Sequence, residues 1–324
     1  MFIAELCDKA VNGRSITPKE AQWLISLKEH TDIMLLVSHA NLIRQHFHGP
    51  DIDLCAIVNA RSGKCSEDCT FCAQSARYDT RIKTYPMLAI KDILRHARRS
   101  KKNGVHRFSI VTSGRGITGK STFKKICAMV QKINDIDGLN PCASLGIMGR
   151  DQFRQLRDSG LKRYHHNLET AESFFPSVCS THSFAHRVAT IRHAQEEGFE
   201  VCAGGIFGLG ETPQQRLELA YALKNLDVDS IPLNFLNPIA GTALENSPLV
   251  TPLELLKTIA VYRFLLPTKE IRICGGREVA LRTLQPLMYV SGANGVMVGN
   301  YLTTKGRNSV IDMREIADLG LNSP

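Results

Sequence analysis

The chain has 324 residues, of which 43% are hydrophobic, and a formal net charge of +9 at pH 7. This length suits either two average domains or one α/β barrel, and it is sufficient to bury a large core. No apolar run approaches the length needed to cross a bilayer, and the acidic residues near the start do not fit a secretory signal. We therefore expect a cytoplasmic protein that does not bind membranes. Lys and Arg are spread over many predicted helices, which argues against nucleic-acid binding.

Residues 1–50 are predicted to form helices, and the run from Ser15 to Glu20, which contains Thr17 and Pro18, is typical of a helix start. From residue 51 onward, short apolar runs alternate with amphipathic stretches. The predicted strands cover 54–59, 107–112, 141–145, 163–168, 200–206, 230–236, 270–273 and 295–298. The predicted helices between them include 89–102, 120–136, 183–197, 213–225 and 252–265.

About eight strand–helix units indicate an α/β fold of the (β/α)8 TIM-barrel type. A doubly wound open sheet is the alternative, but no Gly-x-Gly-x-x-Gly follows the first strand. We predict an N-terminal helical extension over 1–50 and a barrel domain over 51–324.

Cys65, Cys69 and Cys72 form a C-x3-C-x2-C run directly after the first predicted strand. Three thiolates on one short loop can hold three corners of a cubic iron–sulfur cluster and leave the fourth iron open to a small molecule. A structural zinc ion normally takes four ligands, and the loop offers no fourth Cys or His nearby. Because active sites of barrels lie at the C-terminal ends of the strands, the loop is also well placed for catalysis. The ten cysteines of a chain without a secretory signal indicate reduced thiols.

Further polar or thiol residues occur inside predicted strands, where a plain core would use Val or Ile. Side chains alternate along a strand, so Arg272 and Cys274 share a face. His165, Asn167 and Glu169 share another face in the same way. Cys142 and Cys202 lie on the third and fifth predicted strands. Each cysteine alone is consistent with a small buried hydrophobic residue, whereas the set indicates a second polar and thiol-rich cluster inside the barrel.

The chain resembles the biotin synthases, a family of radical S-adenosylmethionine enzymes, from about residue 40 to residue 322. The first motif is the Cys-Ser-Glu-Asp-Cys-Thr-Phe-Cys-Ala-Gln-Ser run over 65–75, which the whole superfamily shares. The others are Tyr-His-His-Asn-Leu-Glu-Thr (164–170), Val-Cys-Ala-Gly-Gly-Ile-Phe-Gly-Leu-Gly-Glu-Thr (201–212), Ile-Pro-Leu-Asn-Phe-Leu-Asn-Pro (231–238), Ile-Arg-Ile-Cys-Gly-Gly-Arg-Glu (271–278) and Gly-Ala-Asn-Gly (292–295).

This resemblance implies a (β/α)8 barrel that converts dethiobiotin to biotin. Cys65, Cys69 and Cys72 would be the catalytic ligands of a [4Fe–4S] cluster, whose open iron would chelate S-adenosylmethionine. Reductive cleavage of this cofactor would give a 5′-deoxyadenosyl radical that removes hydrogen from dethiobiotin. Sulfur would come from a second iron–sulfur cluster deep in the barrel, which is a [2Fe–2S] cluster in the family.

The ligands of the second cluster match the family only in part. Cys142, Cys202 and Arg272 match three of its usual ligands, but Ser109 stands at the fourth position, where the family has a cysteine. A serine oxygen is a poorer ligand than a thiolate for iron in a sulfide cluster. The shared face of residues 272 and 274 leads to the hypothesis that Cys274 supplies the missing thiolate. Two alternatives stay open: Cys274 is a packed thiol, or Ser109 is itself a ligand.

The resemblance also implies residues that contact S-adenosylmethionine and dethiobiotin. Both Asn167 and Asn234 would contact the ureido ring of dethiobiotin, since an amide can donate and accept there, and Asn167 would also border the cofactor. Thr303 and Thr304 would bind the dethiobiotin carboxylate. The role of His165 stays open. The other cofactor contacts implied are Phe71 at the adenine, Glu169 at the ribose, Arg187 at the carboxylate, and Gly204, Gly205 and Ile206 along the cofactor.

Two other functions remain as alternatives. One is a neighbouring radical S-adenosylmethionine enzyme of the hydrogenase-maturase or methylornithine-synthase type, and the other is a non-catalytic metal-binding protein. The family further implies a homodimer and a small electron-transfer protein, a flavodoxin or a ferredoxin, as reductant.

Overall fold

A computed structural model describes residues 2–323 of the chain. Within this range, nine parallel strands form one sheet in the order β5-β4-β3-β2-β1-β9-β8-β7-β6, and β5 also pairs with β7, which closes the sheet. Since β6 continues the line of β5, the barrel has eight strand positions, and the predicted (β/α)8 fold is confirmed. The strands are β1 Asp53–Arg61, β2 Arg107–Thr112, β3 Asn140–Ser144, β4 Arg163–His165, β5 Glu200–Cys202, β6 Gly205–Phe207, β7 Ser230–Phe235, β8 Glu270–Ile273 and β9 Gly295–Met297.

The single strand predicted over 200–206 was wrong, because the structure divides it into β5 and β6 at Ala203 and Gly204. At this break the backbone of Gly204 approaches β7 so closely that a Cβ there would lie 1.9 Å from the carbonyl oxygen of Pro232. The predicted strand over 163–168 is shorter than expected and ends at His165. Beyond it the chain turns into an irregular segment in which Glu169 has a φ of 71°.

The helices lie around the barrel, and several begin as the sequence predicts. Helix α8 has Thr212 as its N-cap, with Oγ1 accepting from the amide of Gln215 at 3.2 Å, and Thr251 caps α9 in the same way. The helices are α1 Phe2–Val11, α2 Pro18–Ser26, α3 His30–His48, α4 Ile90–Lys102, α5 Lys120–Asn134, α6 Arg150–Asp158, α7 Phe184–Glu196, α8 Pro213–Asn225, α9 Pro252–Leu265, α10 Arg277–Ala280, α11 Leu287–Val290 and α12 Ser309–Asp318. None of the helices within residues 2–323 combines the length and apolar composition that a membrane span requires.

Helices α1 to α3 precede the barrel, as predicted, and α2 begins at Pro18 with a capping box between Thr17 and Glu20. Helix α3 packs on α9, and Lys257 of α9 donates to the carbonyl of Leu27 at 2.9 Å. The helical extension therefore covers one side of the barrel. The division into an extension over 1–50 and a barrel domain over 51–324 stays a prediction.

Charged side chains close the barrel at the N-terminal ends of its strands. Arg163 donates to Glu270 at 2.6 and 3.1 Å and to Glu200 at 2.8 Å, while Arg272 pairs with Asp53 and, at 3.2 Å, with Glu270. Burial alone would raise the pKa of Glu270, but the hydrogen bonds from Arg163 and the charges of both arginines outweigh it and lower this pKa to about 2. This charged floor leaves the opposite end of the barrel for the site.

Candidate active site

The cysteine loop, residues 65–72, follows β1 at the C-terminal end of the barrel. The amide of Cys65 donates to the carbonyl of Gln74 at 2.9 Å, and the amide of Cys72 donates to that of Cys69 at 2.9 Å. Asn59, near the end of β1, donates through its side chain to the Gln74 side chain at 3.1 Å. These bonds hold the three predicted thiols on one compact loop.

Two groups that the sequence analysis missed support this loop. The imidazole of His182 lies 2.6 Å from a carboxylate oxygen of Glu67, and the thiol of Cys179 lies 3.2 Å from a carboxylate oxygen of Asp68. The donor atoms of Cys69, Cys179 and His182 all lie within 4.8 Å of one another. The spacing of Cys179 and His182, a C-x2-H pair, is the signal that could have identified them.

A cavity of about 400 Å³ lies between the cysteine loop and the barrel opening. It brings together most of the predicted site residues although they are far apart in the sequence. Its volume falls within the range of small-molecule sites in proteins. The predicted residues that line it are Cys65, Cys69, Phe71, Cys72, Ser109, His165, Asn167, Glu169, Arg187, Ile206, Asn234, Cys274, Thr303 and Thr304.

A buried polar cluster forms one wall of this cavity. The Arg187 guanidinium donates to the carbonyl of Asn167 at 2.8 Å and to the carboxylate of Glu169 at 3.3 Å, and also to the ring of His182 at 3.0 Å. The Asn167 amide donates to Glu169 at 3.4 Å. Burial raises the pKa of Glu169, and the charge of Arg187 opposes that shift. Predicted cofactor residues thus form one hydrogen-bonded group.

The adjoining wall is built from β6, β7 and the segment after β8. Asn234 donates to the carbonyl of Gly205 at 3.2 Å and accepts from the amide of Gly275 at 3.0 Å. A Cβ on Gly205 would lie 2.6 Å from the carbonyl oxygen of Glu169, so glycine is required for this close approach. Predicted residues Gly204 and Gly205 therefore shape the wall through their backbone.

Three of the predicted ligands of the second cluster lie below the cavity. Cys142, Cys202 and Arg272 are almost completely buried in the barrel interior. Cys274 is equally buried; it lines the cavity and lies two residues after Arg272 in the chain. The structure thus confirms that residues 272 and 274 share an inward face.

Buried polar atoms in this region fit a polar guest rather than a plain apolar core. The hydroxyl of Ser109 and Nε2 of His165 have no hydrogen-bond partner among the described residues, and such unpaired atoms are uncommon in folded proteins. Burial, followed by the charges of Arg163 and Arg272, lowers the pKa of His165 to about 3, so its imidazole is neutral at pH 7. The buried cysteines beside these atoms offer the soft thiolate ligands that an iron–sulfur group takes.

The fold and the cysteine loop are those of the Radical SAM superfamily, and a comparison with family models agrees. A model for the Radical SAM superfamily matches residues 60–222, and a model for the Biotin and Thiamin Synthesis associated domain matches residues 232–322. Among solved structures, the chain is similar to methylornithine synthase (TM-score 0.87, 22% identity, covering 98% of this chain and 96% of that one). It is also similar to the FeFe-hydrogenase maturase from Carboxydothermus hydrogenoformans (TM-score 0.83, 16% identity, covering 98% and 78%). At these identities the likeness shows the fold alone.

Curated relatives are much nearer in sequence. The chain is 50% identical to a biotin synthase from Pelotomaculum thermopropionicum, covering 98% of both chains. It is 49% identical to a biotin synthase from Geobacter sulfurreducens, covering 98% of this chain and 96% of that one. The chain belongs to the biotin synthase family.

Proposed function

We propose that this protein converts dethiobiotin to biotin by inserting a sulfur atom, as a radical S-adenosylmethionine enzyme. The observation that carries the proposal is that one cavity joins the three loop thiols to a polar wall above buried barrel thiols. A metal-binding protein without catalysis would need the loop thiols but not the polar wall. Asn167 and Arg187 on the polar wall, and Asn234 on the wall beside it, are all positioned by hydrogen bonds.

Cys65, Cys69 and Cys72 would hold a [4Fe–4S] cluster. When bound, this cluster and S-adenosylmethionine supply a carbon radical strong enough to break unactivated C–H bonds. The loop leaves space toward the cavity, where Phe71 offers an aromatic face for an adenine ring. Three ligands from one loop and an open cavity beyond them are what a cluster with one free iron requires.

The buried cluster of Glu169 and Arg187 would bind the polar parts of S-adenosylmethionine. Arg187, which is 9% exposed, already pairs with Glu169. A cofactor carboxylate could share this guanidinium, because its five donors can serve more than one acceptor. Glu169 would accept from the ribose hydroxyls. Burial of both groups strengthens these contacts by excluding water.

Asn167 and Asn234 would bind the ureido ring of dethiobiotin from adjoining walls of the cavity. Each side chain is fixed by backbone partners, Asn167 through the amide of Gly204 at 3.3 Å and Asn234 through Gly205 and Gly275. Fixed amides hold the reacting carbons close to the radical source. Thr303 and Thr304, which line the same cavity, would donate to the substrate carboxylate.

A second iron–sulfur group would lie in the barrel interior and serve as the sulfur donor. We propose that Cys142, Cys202 and Cys274 supply thiolates and that Arg272 lies against the same group. The Ser109 side chain faces this region. Counting iron and sulfide in a reconstituted Cys274→Ser variant tests this ligand set, and unchanged content in the second cluster would exclude Cys274.

A flavodoxin or ferredoxin as electron donor, a homodimer and a location in the cytoplasm stay predictions of the family resemblance. The first two have direct tests. Reduction can be followed with each purified donor, and the oligomeric state can be measured by light scattering of the anaerobic protein.

An anaerobic assay with S-adenosylmethionine, dethiobiotin and dithionite or a flavodoxin system tests the proposed function. We expect biotin, together with methionine and 5′-deoxyadenosine. If deoxyadenosine forms without biotin, the function is of the hydrogenase-maturase or methylornithine-synthase type. If no S-adenosylmethionine is cleaved by protein that carries its cluster, the chain is not a radical enzyme.

A further inference from the structure

Cys55 is a buried thiol that the sequence motifs do not assign to any site. It is the third residue of β1 and is 4% exposed. Its side chain points into the barrel, because side chains alternate along a strand. Asp53 on the same face reaches the charged floor, and Ile57 lines the central cavity. Cys55 therefore lies between the floor and the cavity.

The register of the strands places Cys55 in one layer with three predicted ligands of the second cluster. In a tilted eight-stranded barrel, inward side chains from alternate strands form layers of four. The strand register pairs Cys55 through Arg107 with Asn140, and a layer across tilted strands rises by about two residues over every two strands, which gives Cys142 on β3. The same rise leads on to Cys202 on β5, to Arg272 on β8 and then back to Cys55. We call these four residues the lumen layer.

The electrostatics of these thiols agree with this placement. Burial is the main influence on each, and it raises the pKa of Cys142 to about 12 and that of Cys202 to about 11. In both cases, and for Cys274, the charge of Cys55 adds to the increase. The charge of Arg272 opposes the increase at Cys55 itself. These mutual influences agree with the common layer that the strand register gives to the thiols.

Ser109 occupies the layer directly above the lumen layer. It is opposite Ile57 on β1 and Cys142 on β3. A cluster held at this height lacks a thiolate on β2 but has one on the neighbouring strand, at Cys55. Thiolates bind iron in sulfide clusters better than a serine oxygen does, so Cys55 is the more suitable ligand.

Arg272 has a different part in this layer. Its guanidinium pairs with Asp53 and with Glu270, at 3.2 Å for Glu270. Two carboxylate partners hold it in the charged form, which has no lone pair to offer a metal. It is therefore suited to balance the negative charge of a thiolate-bound cluster.

We infer that Cys55 supplies the thiolate that position 109 lacks, so that four thiolates, from Cys55, Cys142, Cys202 and Cys274, hold the second iron–sulfur group. Arg272 then acts as a charge partner. This inference rests on the proposed function, since it requires a second cluster in the barrel.

The test uses a variant in which Cys65, Cys69 and Cys72 are all changed to Ala, so that the iron and sulfide remaining after anaerobic reconstitution come from the barrel interior. Into this background we introduce Cys55→Ser or, as a matched control, Cys127→Ser on the outer helix α5. We expect Cys55→Ser to lower bound iron and sulfide by roughly tenfold or more, and Cys127→Ser to leave them unchanged. Mössbauer spectra identify the iron that is lost.

A second variant separates a lost ligand from a lost fold. Adding Ser109→Cys to Cys55→Ser returns a thiolate to the layer above, and we expect iron and sulfide to return with it. Full second-cluster content in Cys55→Ser overturns the inference, as does a loss that Ser109→Cys does not restore. If the triple-Ala background itself holds no iron–sulfur group, the second cluster of the proposed function fails as well.

Discussion

The cysteine loop and the lumen layer both present thiols toward the barrel interior, but they are built differently. The loop takes its three thiols from eight consecutive residues and holds them by local backbone bonds. The lumen layer takes Cys55, Cys142 and Cys202 from three strands, and only the register of the sheet brings them together. A loop of this kind can leave one side of a ligand open to the cavity. A layer inside a barrel encloses its ligand, which suits a group that gives up an atom rather than an electron.

The largest effect is expected from the cysteine loop. Cys69→Ala should abolish both the cleavage of S-adenosylmethionine and the formation of biotin, because both need the cluster at the loop. Deoxyadenosine and biotin are measured in the same anaerobic reaction, with Cys127→Ser as the control. Cleavage by the Cys69→Ala protein at the normal rate would contradict the assignment of the loop.

A change in the lumen layer should separate the two activities. Cys202→Ala should abolish biotin formation, since the sulfur donor is lost, while S-adenosylmethionine cleavage stays within about threefold of the parent, a difference below 1 kcal/mol in activation free energy. The ratio of deoxyadenosine to biotin measures this separation. If both activities fall together, the loop and the layer are not independent sites.

A smaller effect on activity is expected from a change in the cavity wall between the cysteine loop and the lumen layer. Asn234→Ala removes an amide that would bind the ureido ring, and the KM for dethiobiotin should rise by roughly tenfold, as for the loss of one hydrogen bond to a buried group. The KM for S-adenosylmethionine should not change. The control is Asn12→Ala, a change at an exposed position in the turn after α1. An equal rise in both KM values would assign Asn234 to the fold instead.

The smallest effect on activity is expected from the charged floor, which supports the lumen layer from below. Glu270→Gln weakens the ion pair with Arg163 and should lower the free energy of unfolding of the apo-protein by about 2 kcal/mol, as for a hydrogen bond to a charged group. Urea unfolding measures this loss.

The pH dependence of the Glu270 contribution follows from its pKa. The pKa in the folded protein is lowered to about 2, while that of an unfolded Glu is about 4.3. The contribution is therefore complete above pH 4.3 and is lost as the pH falls toward 2. Glu270→Gln should make the free energy of unfolding less dependent on pH between pH 2 and about 4.3. An unchanged slope of this free energy against pH would contradict the role of the ion pair.

The sequence was sufficient for the cysteine loop and for the barrel, since both depend on local patterns. The spacing of Cys65, Cys69 and Cys72 is visible along the chain, and the helix caps at Thr212 and Thr251 mark helix starts that the structure confirms. Helix α6 was missed because most of its residues are polar and only Phe153 and Leu156 are buried.

The lumen layer could not be derived in full, because a layer depends on register and tilt, which local patterns do not specify. Cys142 and Cys202 were noted as thiols inside predicted strands, and the family resemblance then gave them a role as ligands, but Cys55 has no motif around it. The division between β5 and β6 was missed for a related reason. The close approach of Gly204 to Pro232 is a contact between strands, and nothing in the local run of apolar residues indicates it. The pair Cys179 and His182 was likewise brought to the loop only by folding.

The two-site organisation is tested most directly by Mössbauer spectroscopy of anaerobically reconstituted protein, with and without the three loop cysteines. We expect two distinct iron–sulfur signals in the parent, and only the barrel signal when Cys65, Cys69 and Cys72 are replaced by Ala. A parent with a single signal that disappears with the loop cysteines would contradict a second site in the barrel.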